Sequence, residues 1–111
     1  MMNILAGTSS GVFSLNESTS ELVLDSMEVR DLYRICEILF ASTGSGVFRS
    51  TDNGTNWTCT GLKNRQVWQI RGIENQTTMY AVTQPAGLIR SDDDGLNWQE
   101  IKTFTSLPEA T

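Results

Sequence analysis

A twelve-residue segment occurs twice in this chain. Gly46-Val-Phe-Arg-Ser-Thr-Asp-Asn-Gly-Thr-Asn-Trp57 recurs without a gap as Gly87-Leu-Ile-Arg-Ser-Asp-Asp-Asp-Gly-Leu-Asn-Trp98, 41 residues later, with seven of the twelve positions identical. A third, worn copy lies near the start. There Leu5-Ala-Gly-Thr-Ser-Ser-Gly-Val-Phe13 matches Phe40-Ala-Ser-Thr-Gly-Ser-Gly-Val-Phe48 at a spacing of 35, but its turn, Asn16 to Ser20, lacks the later residues. Self-similarity of this kind constrains a fold more than any propensity, because each copy must be one structural unit that buries its apolar face against its neighbours.

Between the copies, apolar and polar residues alternate over four to eight positions and are broken by Gly, Asn, Ser and Thr. That is the period of half-buried strands. In the last unit it predicts strands over Gln66–Ile73, Thr78–Thr83, Gly87–Ser91 and Trp98–Phe104. The ambiguous stretch Arg30–Ile38 aligns with Arg65–Ile73, which sets Tyr33 opposite Trp68, and is therefore read as a strand. Each full unit is then four antiparallel strands, A to D, repeating about every 40 residues, the sequence form of a β-propeller. The expected fold is all-β with about three blades. The first, at about residues 2–28, holds only strands B to D and lacks the inner strand; the second spans about 29–63, the third about 64–105, and a tail covers 106–111.

The repeated core is Ser-x-Asp-x-Gly-x-x-Trp, at Ser50, Asp52, Gly54 and Trp57 and again at Ser91, Asp93, Gly95 and Trp98. Between two strands, Ser and Asp side chains can bond the turn's own backbone, and Gly takes a positive φ without steric cost. The Trp begins the returning strand and can cover the turn. This motif resembles the Asp-box, or BNR repeat, of the propellers of sialidases, sortilin-type receptors, some glycoside hydrolases and photosystem II assembly factors. The preceding Gly-Val-Phe-Arg-Ser and the strands Leu39-Phe40-Ala41 and Met79-Tyr80-Ala81 extend the resemblance over essentially the whole chain. It implies that the motif is a fold signature on the blade periphery, so these eight residues are expected to be structural and none of them catalytic.

Candidate ligand-binding residues are sought on strand A, the innermost strand of such a blade. Trp68 and Tyr33 fall there, with Arg65 and Arg30 at the heads of the same segments. Aromatic rings at a channel offer flat apolar area with a polar edge, suited to a sugar or a peptide side chain, although such residues also pack between blades. A sialidase would need three arginines converging on a carboxylate, a tyrosine nucleophile with a glutamate base, and an aspartate acid. Arg30, Arg34, Arg49, Arg65, Arg71 and Arg90 show no spacing that singles out that set, and the family's Arg-Ile-Pro segment is absent. The run Asp92-Asp93-Asp94-Gly95 invites a calcium reading, but in the register of an EF-hand loop the first ligand would fall on Arg90. A capped hairpin without metal is the expectation.

Composition narrows the classes further. The chain has no histidine, which excludes Ser-His-Asp and Cys-His catalysis and the commonest zinc sites. Eight Lys plus Arg are scattered among thirteen Asp plus Glu, an acidic balance that argues against nucleic acid. No run approaches the roughly 18 to 20 apolar residues that a bilayer needs. Cys36 and Cys59 are too few for a disulfide framework and are expected to be free core thiols. The first residues carry neither a basic nor an apolar leader region, which predicts a cytoplasmic location and unmodified sequons at Asn16, Asn53, Asn56 and Asn75.

Two full units and a partial one cannot close a ring alone. Either copies assemble edge to edge, two chains supplying six blades, or the chain is a stretch of a longer propeller. A homo-oligomer, most simply a dimer, is the expectation. The leading function is a non-enzymatic binding or scaffold module for a protein or glycan, with no cofactor. The alternatives are an Asp-box glycoside hydrolase or its remnant, with arginines and tyrosines assembled across subunits, and a lectin with shallow sugar sites.

Overall fold

A computed structural model describes residues 4–26, 28–73, 76–84 and 87–103. These residues form eleven β-strands and no helix, and within each sheet consecutive strands pair antiparallel. Strands β1 (Ile4–Thr8), β2 (Gly11–Leu15) and β3 (Ser20–Asp25) make a first sheet. A second contains β4 (Asp31–Ile35), β5 (Ile38–Thr43), β6 (Gly46–Ser50) and β7 (Thr58–Gly61), and a third contains β8 (Gln66–Gly72), β9 (Met79–Gln84), β10 (Gly87–Ser91) and β11 (Gln99–Thr103). The chain is all-β, as expected, in three antiparallel sheets of three, four and four strands. Phe104, the tail at 106–111 and residues 2 and 3 of the first predicted unit lie outside the described residues.

The repeat is visible in the strand register. Ala6 pairs with Phe13, Ala41 with Phe48 and Ala81 with Ile89; two residues on, Thr8 pairs with Gly11, Thr43 with Gly46 and Thr83 with Gly87. The turn threonines explain part of this. Thr43 Oγ1 donates to the Gly46 carbonyl (2.8 Å) and accepts from the Ser45 N–H (3.0 Å), and Thr8 does the same with Gly11 (2.9 Å) and Ser10 (3.1 Å). Thr-x-x-Gly is thus a hydroxyl-closed hairpin, which fixes which residues of the flanking strands share a face.

The second sheet lies between the other two. Side chains alternate across a strand, so the adjacent residues Phe40 and Ala41 enter different seams. Ala41 and Phe48 join Val12, Leu24, Leu5 and Trp57 against the first sheet, while Phe40 and Val47 join Val67, Ile70, Met79, Ala81 and Ile89 against the third. Each fully buried large side chain in these seams contributes about 1.5 to 3 kcal/mol.

Two expectations are corrected here. The predicted strand Arg30–Ile38 is broken by a two-residue turn, since Ile35 pairs directly with Ile38 and Cys36 takes a φ of 54°. Cys36 is consequently exposed on that turn rather than in the core, and Cys59 is half-buried; both are free thiols. The turn holds Cys and Glu where Gly or Asn would have marked it. The alignment of Tyr33 with Trp68 also fails. Tyr33 pairs with Phe40, whose counterpart Tyr80 pairs with Arg71, so the counterpart of Tyr33 is Arg71. Trp68 is the extra residue of a β-bulge between Val67 and Gln69 and has no counterpart in β4.

Candidate functional site

The two Ser-x-Asp-x-Gly-x-x-Trp turns join β6 to β7 and β10 to β11, and their bonding is the same bond for bond. Ser50 Oγ donates to Asp52 Oδ1 (2.7 Å) and accepts from the Gly54 N–H (2.9 Å). Asp52 accepts from the backbone N–H (2.9 Å) and side-chain amide (2.8 Å) of Asn56, and Trp57 Nε1 donates to the Gly54 carbonyl (2.8 Å). Ser91, Asp93, Gly95, Asn97 and Trp98 repeat the set at 2.8, 2.9, 2.9, 2.6 and 3.0 Å. The Asn four residues after the motif Asp was not singled out in the sequence, yet it supplies two of the donors. Its signal was its identity in both copies.

These bonds set the electrostatics of the turns. Asp52 is held at about 2, below the ordinary 3.8, first by the Asn56 backbone N–H, then by the Asn56 amide and the Ser50 hydroxyl. Asp93 is likewise held at about 2, first by the Asn97 side chain, then by its backbone N–H and Ser91. All these donors favour the ionised carboxylate. A folded-state pKa below the unfolded one contributes stability that is present above about pH 4 and is lost as pH falls toward 2. The midpoint of urea unfolding should therefore drop across that window, and the drop should flatten in Asp52→Asn/Asp93→Asn, which removes both of these carboxylates. An unchanged acid limb in the double variant would show that the turns do not set it.

Each turn also receives a side chain from the preceding sheet. Leu5 lies against Gly54, its counterpart Phe40 against Gly95, and Arg49 Nε donates to the Asp94 carbonyl (2.9 Å). The tryptophans close the same seams, Trp98 lying against Gly61 of the second sheet. The motif residues are therefore occupied in holding turns shut and sheets together. Asp92 binds Arg90 (2.8 Å) and Asp93 is committed to its own turn, and no group of three or more Cys, Asp or Glu among the described residues is placed to hold a metal ion.

The four candidate ligand-binding residues divide. On the edge formed by β4 and β8, the Arg30 guanidinium stacks over the Trp68 ring, 4.0 Å from its centre, while Arg30 Nη2 donates to Glu28 (2.6 Å) and Gln66 (2.8 Å). Beside it, Arg71 donates to Asp31 (2.7 Å) and lies 4.8 Å over the Tyr33 ring. The Tyr33 hydroxyl accepts from the Gly72 N–H (3.1 Å) and lies 3.4 Å from the Gly72 carbonyl, so the ring is tied to β8 through its hydroxyl. Arg65 turns away to Glu100 (2.8 Å) and Thr83 (3.3 Å) within the third sheet. Arg71 and Asp31 were missed in the sequence, because the misaligned strand hid that Arg71 stands at the position of Tyr33.

Trp68 is 47% exposed, whereas the Arg30 side chain beneath it is only 15% exposed. Arg30 Nη1 is shielded from solvent and has no hydrogen-bond partner among the described residues. The edge thus presents a tryptophan face propped by a cation, a pairing worth about 0.5 to 2 kcal/mol. The six arginines do not converge: Arg34 binds Asn53 (3.3 Å), Arg49 the third sheet's turn and Arg90 its neighbour Asp92, with no partner shared. A depression of about 220 Å³ between the second and third sheets is lined by Arg49, Asp52, Asn56 and Thr58, whose charged groups are already engaged.

The chain matches no protein-family model, and no curated protein is similar to it at a significant level. Among the described residues no helix is long and apolar enough to cross a membrane.

Proposed function

We propose that the three sheets are blades of an Asp-box β-propeller and that the chain is a non-enzymatic binding module whose ligand, a protein or a glycan, docks on Trp68. The observation that carries this reading is the exposed Trp68 ring, set out from β8 by a bulge and braced from beneath by Arg30. A rigid aromatic platform loses little entropy when a sugar ring or side chain stacks on it. Three arginines in ion pairs with Glu28, Glu100 and Asp31, rather than gathered on a common site, support binding over hydrolysis. So do Asp52 and Asp93, whose pKa values are moved down, opposite to the shift a general acid needs.

Screening on a broad glycan array and a peptide library, followed by titration of the best hit, tests the reading. Trp68→Ala is expected to weaken that hit at least about tenfold while costing the fold no more than the roughly 0.5 to 2 kcal/mol of the pairing with Arg30. Equal affinity for both proteins would remove Trp68 from the site. Hydrolysis of a sialoside or glucoside that is lost in Arg30→Ala would overturn the non-enzymatic reading.

A further inference from the structure

We propose that copies of this chain associate head to tail, the outer face of the third sheet of one copy covering the outer face of the first sheet of the next. The two internal seams show what each half of such a contact is made of. In both, the preceding sheet presents its Gly7–Val12 or Ser42–Val47 pair, together with Leu5 or Phe40. The following sheet answers with its Ala41–Phe48 or Ala81–Ile89 pair. Val12, Val47, Ala41, Ala81 and Ile89 are all buried by this arrangement.

Each end of the stack carries one half of the same seam, uncovered. On the third sheet the presenting half is Val82–Leu88 with Tyr80, in the register of Ser42–Val47 with Phe40; Val82 is 44% exposed, where its counterpart Ser42 is 1% exposed. On the first sheet the answering half is Ala6–Phe13, in the register of Ala81–Ile89, and Leu22, which pairs with Phe13, is 44% exposed. Neither face is complementary to itself, because each is one half of the seam, whereas the two together repeat a contact the chain already makes twice. A heterologous pairing of copies follows. Among the described residues the first sheet consists of β1, β2 and β3, which carry its side of the contact. The contact rests on register alone and stands apart from the ligand reading; closure of a six-sheet ring by two copies rests in addition on the propeller reading.

The test is the solution mass by light scattering across a micromolar concentration series, for the wild type, Val82→Glu and Leu22→Glu, with circular dichroism to establish that each is folded. The wild type is expected at two chains or more, and each variant at one, a twofold or larger loss of mass. Mixing the variants should restore a two-chain species, because Leu22→Glu keeps an intact third-sheet face and Val82→Glu an intact first-sheet face. A monomeric wild type would overturn the proposal. So would persistence of the dimer in either variant, which would indicate pairing of like faces, or failure of the mixture to recover. Mass that grows without limit supports the contact and counts against closure by two copies, leaving binding at Trp68 to be judged separately.

Discussion

Gly95→Ala is expected to destabilise the chain by about 2 to 5 kcal/mol, and Gly54→Ala, at the same position of the other turn, by about half as much. Both glycines have left-handed backbone, φ 80° and 87°, which costs a side chain about 1 to 2 kcal/mol. The difference lies in what a methyl group would meet. At Gly95 it would collide with Cε1 and Cζ of Phe40, the latter at 2.6 Å, and that ring is fully buried and cannot turn aside; overpacking of this kind adds about 1 to 3 kcal/mol. At Gly54 it would meet the tip of Leu5 at 2.7 Å, a flexible, half-buried side chain that can change rotamer. Urea midpoints of the two variants measure the contrast, and Phe40→Leu combined with Gly95→Ala should cost less than the sum of the two, since the substitutions share one contact. Equal losses at the two glycines would mean that Phe40 does not fill the turn.

Phe40→Ala should cost about 3 to 5 kcal/mol, a large share of the roughly 5 to 15 kcal/mol that a domain of this size has. Its counterpart Tyr80, which pairs with Arg90 as Phe40 pairs with Arg49, is half-buried, and no sheet among the described residues lies over it. Tyr80→Ala, measured where the chain is monomeric, should cost less than about 1 kcal/mol. The same position is thus a core residue or a surface residue according to whether a sheet follows. Comparable losses at the two sites would show that the outer face of the third sheet is covered by something within the chain.

Much of the fold could be read from the repeat, and the reasons are local. Thr-x-x-Gly, in the hairpins of β1 with β2 and β5 with β6, and Ser-x-Asp-x-Gly-x-x-Trp each close their own hydrogen bonds, so identity of sequence there carries identity of structure, and β9 and β10 fall within a residue of their expected places. The strand before each hairpin was harder. Strands β4 and β8 are held by pairing and by seam contacts, and the turns that follow them differ in length, Ile35 to Ile38 against Ile73 to Thr78. The chance match of Arg30 with Arg65 therefore outweighed the true register. One signal of the bulge was present: the buried residues Val67 and Ile70 are three apart, which a regular strand cannot place on one face. At the edge, Trp68 was legible as an exposed aromatic, but its partnership with Arg30 spans 38 residues and depends on how two sheets lie together.

Every hydrogen-bonded ladder in this molecule runs between strands that are consecutive in the chain, and what joins one sheet to the next is mainly side chains. Adding or deleting a unit of about 40 residues, of the period read from the repeat, would therefore leave each remaining strand with the partner it already has. The number of units can change by duplication or loss in the gene while each remaining turn, closed by its own bonds as at Ser50 and Ser91, is left intact.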